Sequence, residues 1–418
     1  MQPLLCCSPN TVGKTLAMSQ HKYNILNLKK FKWYSFSIEK IQGRCLAFKG
    51  GFVMNKVSGL GGIVLDDELN SVKLSKITNL SQSNLWKTLN GKVPMTFAKL
   101  VKILSGLESE EQKMEIIKEF LKYTDKEADI RTAMYYLYQS GYTELLHELV
   151  EKNYKQSVTN NYRDIFRVCL DRQTQSLRSG AFLKEIETVR TKVNLNKTGV
   201  NILVNTLSVY GYFDLGAYNV LTVLQGIIQE KIDEMPKGLE KTLNEVELNI
   251  ICAYASLMQD EVKTARELLL HVLDKQEIPR LLKATALSIF AESYIFSNPD
   301  KALYFFELSL SELRKIKNNK SLLKRKLVEN TTAFCCIIHN IPVKLEYIHD
   351  DAEIALQCIR QNKNSEACKI LNQISNRTAT QDFYLSIATN DEELRRKAYH
   401  RFLKDGNLFY IKIFDILK

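Results

Sequence analysis

A chain of 418 residues with a formal net charge of +11, 45% hydrophobic and 25% charged, with only 17 glycines and 7 prolines, is too apolar for a disordered protein. It is also too poor in turn formers for an all-β fold. No apolar run approaches the roughly 18 residues that a membrane span requires, and nine scattered cysteines without a C-x-x-C spacing exclude a disulfide framework or zinc ribbon and leave reduced thiols.

The charge is placed unevenly. Residues 1–53 contribute +7 and residues 54–107 contribute +4, so the remaining 311 residues are neutral overall. A nucleic-acid-binding inference from the basic balance therefore applies only to the first quarter of the chain. Residues 1–53 show no apolar periodicity and lack the layout of a signal peptide. Lys49-Gly50-Gly51 can be encoded by a strong ribosome-binding sequence just upstream of the Met54 codon. The expectation is that translation starts at Met54 and that 1–53 is a disordered or untranslated leader. Gly13-Lys14-Thr15 ends like a phosphate loop, but Ser8 stands where its first glycine is needed, so no cradle forms.

Residues 54–107 are expected to form a DNA-binding domain. Leu74, Ile77 and Leu80 give one apolar helix face, and Leu85, Trp86 and Leu89 give the next after a short turn. Ser81 sits where an N-cap would open the second helix, and Asn90-Gly91 would stop it. Thr96 would cap a further amphipathic helix from Phe97 to Leu104. The run from Ser81 to Gly91 resembles the recognition helix of phage-repressor helix-turn-helix domains. That resemblance implies that Ser81 opens the DNA-binding helix, that Gln82, Ser83 and Asn84 face base edges, with amide pairing to adenine favoured, and that Lys87 and Lys92 sit on phosphates. The alternative is a solvated polar face on a small bundle.

From about residue 108 the chain reads as helix after helix. Breaks are expected at Gly180, Asn194–Asn196, Met235-Pro236, Gln259-Asp260, Asn298–Asp300, Asn318–Lys320, Gln361–Asn364 and Asn390-Asp391. Ala265, Ala302 and Ala367 each lie in an outer-helix pattern after a polar turn. The first gap is close to one tetratricopeptide period of ~34 residues and the second to two. The fold class expected is all-α: an N-terminal helix-turn-helix domain, then a right-handed solenoid of degenerate tetratricopeptide-like pairs over 108–385, then capping helices over 386–418. Tyr136, Tyr138 and Met134 read as core.

For function, the inner helices offer polar residues at helical spacing. Asn201 and Asn205 share one face at i and i+4, Asn249 lies in an otherwise apolar helix, and Arg280 and Glu292 mark the next inner helix. Asparagine amides donate to and accept from an extended backbone, so these five residues are the expected site for a short peptide of about six residues. Each asparagine taken alone reads more simply as a surface or inter-helix hydrogen bond. No catalytic motif, metal cluster or cofactor signature is present in the sequence. The six histidines are dispersed, and His349-Asp350-Asp351 reads as a helix cap.

A helix-turn-helix followed by such repeats resembles the peptide-sensing regulators of Gram-positive bacteria and their phages. Within these, Ala255-Ser256-Leu257, Glu292–Phe296 with Lys301-Ala302, and Tyr399–Tyr410 resemble the arbitrium receptors (AimR family). The resemblance implies a cytoplasmic homodimer with no membrane partner, closed through the C-terminal helix at Phe402, Leu408, Phe409, Ile411 and Phe414. It also implies operator DNA as partner, a re-imported signalling hexapeptide on the concave face, and control of the choice between lysis and lysogeny. Family members carry Asn where this chain has Glu292, and Arg where Leu281 follows Arg280. The departure implies either a cognate peptide of more positive character or that these positions are not the site. The second function class is a repeat-type adaptor that binds a protein partner without reading DNA.

Overall fold

The computed structural model describes Ser75 and residues 81–89, 92–173 and 179–417. The leader, the first expected helix of the helix-turn-helix, the Asn90-Gly91 stop and the side chains of Trp86 and Leu89 lie outside the described residues. Among the described residues all regular structure is helical, as the scarcity of glycine and proline requires.

From Ser81 onward, three helices precede the pairs: α1 Gln82–Leu89, α2 Phe97–Leu104 and α3 Glu110–Tyr123. Their caps are those the sequence suggests. Ser81 Oγ accepts from Asn84 N at 3.2 Å, Thr96 Oγ1 from Lys99 N at 3.3 Å and Ser109 Oγ from Gln112 N at 3.3 Å. Antiparallel pairs follow: α4 Glu127–Ser140 with α5 Thr143–Val150, α6 Ser157–Gln173 with α7 Ser179–Arg190, and α8 Thr198–Asp214 with α9 Tyr218–Asp233. Next come α10 Leu239–Met258 with α11 Val262–Leu273, α12 Arg280–Glu292 with α13 Pro299–Arg314, and the long α14 Asn319–Ile338. The chain ends with α15 Asp351–Arg360 and α16 Asn364–Gln373, α17 Ala379–Thr389 and α18 Glu392–Lys404, then a tail of one 3-10 turn, Phe409–Lys412, and the short α19 Ile413–Ile416.

The first member of each pair also packs on the first member of the next, so α4, α6, α8, α10, α12 and α14 form an inner row and their partners an outer one. The repeat alanines explain the approach: Ala265, Ala302 and Ala367 are all fully buried. Inner helices read as apolar nearly all round because they are covered on both sides. From Leu243 to Met258, α10 exposes little beyond Glu245 and Ser256. Most expected breaks are turns, and Asn298, Asn318 and Asp350 are N-caps. Gly180 differs: it lies in the first turn of α7. First-turn N–H groups have no intrahelical partner whatever the residue, so a glycine costs little there.

The inner row curls until its start meets its middle. Helix α4 packs on its neighbour α6 and also across on α10 and α12. Gly141, at φ +76°, ends α4, and a Cβ there would lie 2.8 Å from Lys320 Cβ and 2.9 Å from Leu281 Cδ2. Asn318 Nδ2 donates to Ser140 O at 3.0 Å beside it. The first inner helix is therefore held against the fourth and fifth members of its own row.

Candidate functional site

The polar stripe expected on α8 exists. Asn205 Nδ2 donates to Asn201 Oδ1 at 2.8 Å, and Asn201 Nδ2 donates to Leu195 O at 3.2 Å. Arg190, on α7, donates to Asn205 Oδ1 and to Ser208 Oγ, both at 2.9 Å. Asn201, Asn205 and Arg190 are each partly exposed, so the guanidinium and the amides can exchange these bonds for a peptide's carbonyl or carboxylate. Sequence reasoning missed Arg190. It missed Ser208 too, although that residue stands three positions beyond Asn205 and continues the stripe. Asn249 lies on α10, 8% exposed, with no side-chain hydrogen bond among the described residues.

Arg280 and Glu292 are not brought to this stripe. Arg280 Nε donates to Glu110 Oε1 at 2.5 Å and Nη1 to Glu312 Oε2 at 3.2 Å, with Leu107 O at 3.4 Å from Nη2. Lys113 Nζ shares the same Glu110 oxygen at 2.7 Å. The guanidinium is thus enclosed by α3 and α13, where it compensates a carboxylate with 7% of its side chain exposed. Glu292 is 1% exposed and accepts the Tyr410 hydroxyl from the C-terminal tail. Burial drives its carboxyl up to about 7, against the pull of Tyr410, Lys324 and Tyr254. Both expected peptide contacts are consumed by the chain itself, because closure of the row places acids and phenols from distant segments against them.

A second buried carboxylate closes the inner row. Glu247 Oε2 accepts from Tyr135 Oη at 2.6 Å and Gln139 Nε2 at 3.1 Å, and Oε1 accepts from Tyr210 Oη at 2.9 Å. The group joins α4, α8 and α10. Burial raises the Glu247 pKa, and the three donors and Arg172 oppose it. Beside it Arg172 and Asp214 form a buried ion pair at 3.0 Å, with the guanidinium 4.6 Å over the Tyr210 ring. Tyr136, Tyr138 and Met134, read as core, are buried.

The expected interface residues of the tail mostly face inward. Phe402 and Phe409 are 1% exposed. The Phe414 ring packs tilted against Phe383 with centroids 3.9 Å apart, and Ile411 is half-buried against the core. Leu408 is the exposed one, beside exposed Tyr399 and Leu403. On α1, Ser81, Gln82, Ser83 and Lys87 are exposed, as is Lys92 beyond it, opposite buried Leu85 and Thr88. Asn84 is half-buried, and its Oδ1 accepts from Thr88 Oγ1 at 3.3 Å. No group of three metal-ligating side chains occurs, and no helix is long and apolar enough to cross a membrane, among the described residues.

A family model described as AimR transcriptional regulator-like matches residues 112–414. A phAimR–ligand structure superposes with a TM-score of 0.67 at 16% identity, over 77% of this chain and 96% of that one. A selenomethionine phAimR structure gives 0.65 at 16% identity, over 83% and 92%. An uncharacterized protein of Bacillus anthracis is 28% identical over 243 residues, 56% of this chain and 90% of its own length.

Proposed function

Because the chain belongs to the AimR transcriptional regulator-like family, we propose that it is a peptide-controlled DNA-binding regulator acting as a cytoplasmic homodimer, with a short peptide as effector in a lysis–lysogeny type of decision. The observation that carries the peptide reading is the partly exposed Asn201–Asn205 pair, continued inward by buried Ser208, with Arg190 laid over it. An extended peptide presents alternating donors and acceptors that such a stripe can match, and Arg190 suits a terminal carboxylate. Asn249 adds a buried amide whose hydrogen-bonding capacity is unused. Glu292 and Arg280 drop out of the contact set, and with Glu292 goes the argument for a positively charged peptide.

The DNA reading rests on the exposed polar face of α1, on Ser81, Gln82, Ser83 and Lys87, and on the excess of lysine over residues 54–107. For self-association, the exposed Leu403 and Leu408 are better placed than the buried Phe402 and Phe409.

A gel shift of the chain with the DNA flanking its own gene, run with and without synthetic hexapeptides taken from the neighbouring small reading frame, tests the whole reading. The expected result is a shift that one peptide alters. No shift at any salt concentration would leave the adaptor reading. Asn205→Ala should weaken the peptide response at least tenfold and leave the DNA shift intact. Gln82→Ala combined with Lys87→Ala should abolish the specific shift without changing the oligomeric state, and an unchanged footprint would remove the recognition-helix assignment.

A further inference from the structure

After α18 the chain reverses through Gly406, at φ +64°, and runs back over the middle of the inner row. Leu408 N donates to Met258 O at 2.7 Å, and Phe409 packs on Phe296 with ring centroids 5.0 Å apart. The Tyr410 hydroxyl reaches Glu292, and Lys412 pairs with Asp260. Residues 407–417 thus bind the far end of α12 as a ligand would. The segment is short and terminal: Lys412 and its partner Asp260 lie toward solvent, while Phe409, Tyr410, Ile413 and Leu417 are each 3% exposed or less. Joined to the fold at one end only, such a segment can open without unfolding the helices it covers.

The near end of the same helix carries the other clasp. Arg280 holds Glu110 of α3 at 2.5 Å, and just before it Glu277 pairs with Lys102 of α2 at 3.2 Å. The 13 residues of α12 form a rod about 18 Å long, with the N-terminal helices on one end and the tail on the other. Helix α10 runs alongside and repeats the arrangement, holding Tyr135 of α4 at Glu247 and giving Met258 O to the tail.

We propose that the C-terminal tail, residues 407–417, is a releasable latch, and that α12 passes its release to α2 and α3 through the Arg280–Glu110 clasp. With the tail seated, the far end of α12 is fixed and Arg280 meets Glu110. With the tail released, α12 loses Tyr410 and the Phe409 packing and is free to shift, and a shift of the rod displaces the guanidinium from its carboxylate. A coupling of this kind is reciprocal, so loosening the N-terminal clasp must loosen the tail equally. The relay needs no effector and stands apart from the peptide reading.

Hydrogen exchange of the full chain, read by mass spectrometry, tests it. In Tyr410→Phe, which keeps the ring and removes the hydroxyl, amides of 408–417 should exchange at least tenfold faster. Amides of 110–123 should accelerate with them, while 143–190 stay at the wild-type rate. Glu110→Gln should accelerate 408–417 in return. Lys412→Ala, a surface change that cannot unfold the chain, should move the same two segments by a smaller factor. Acceleration of the tail alone would remove the relay. No change in either segment would remove the latch, and uniform acceleration that includes 143–190 would assign Tyr410 to global stability and overturn the proposal.

Discussion

Replacing Glu247 with alanine should cost the fold about 3–5 kcal/mol, measured as the loss of unfolding free energy in urea. The carboxylate is 1% exposed and accepts from Tyr135, Gln139 and Tyr210. After truncation Tyr135 keeps Asn244 Oδ1 at 3.0 Å and Gln139 keeps Leu243 O at 3.0 Å. Tyr210 keeps nothing among its observed hydrogen bonds. A buried donor without a partner costs about 1–3 kcal/mol, and the cavity left by the lost methylenes adds to it. Glu247→Gln retains the shape and one strong acceptor, so roughly a third of that loss is expected. The damage should also be directional. With the centre gone, α4 keeps only the Asn244 and Leu243 bonds to α10 and α8 loses its Tyr210 bond to α10, and amides of 127–140 should exchange faster than those of 379–404. A loss below about 1 kcal/mol for the alanine variant would mean that the three donors find other partners, and the view of Glu247 as the keystone of the closed row would fail.

How much of this was legible in the sequence follows from the range over which each feature is decided. Caps are decided within four residues: Ser81, Thr96, Ser109 and Asn318 could be read from the hydroxyl or amide before an apolar run. The inner and outer rows follow from helical periodicity and from alanines at the repeat spacing. The clasps do not. Tyr135 meets Glu247 across 112 positions and Arg280 meets Glu110 across 170. Which residues meet is set by how tightly the row curls, a sum of small rotations per pair that no local pattern encodes. The same limit explains the candidate site. Asn201 and Asn205, one turn apart on one helix, came together as expected, whereas Arg280 and Glu292 looked available only because their distant partners were invisible. A local hint did exist. Glu247, in Val246-Glu247-Leu248, and Glu292, closing an apolar helix, are acids on faces that must be buried, and a buried acid demands donors from elsewhere.

Those buried acids make stability fall as pH rises through neutrality. Burial raises Glu292 to about 7, and burial together with the Asp350 charge raises Glu353 to about 8, against an ordinary 4.5. A carboxyl whose pKa is higher in the folded chain holds its proton there after the unfolded chain has released it. The stability this confers is full below about pH 4.5, is lost progressively as pH climbs toward 7 and 8, and is flat beyond. At about 1.4 kcal/mol per unit of pKa, the two groups together account for several kcal/mol between pH 5 and pH 8. Melting temperature should therefore be higher at pH 5.5 than at pH 8. One substitution isolates the effect. Glu353→Gln is neutral at every pH, and Glu353 Oε2 and the fully buried Tyr384 hydroxyl both lack hydrogen-bond partners among the described residues, so an amide has a nearby phenol to meet. The variant should match the wild type at pH 5.5 and melt several degrees higher at pH 8. An equal difference at both pH values would show that Glu353 is not the titrating group. A variant that is less stable at pH 8 would show that the buried site prefers the carboxylate, reversing the sign argued from its burial.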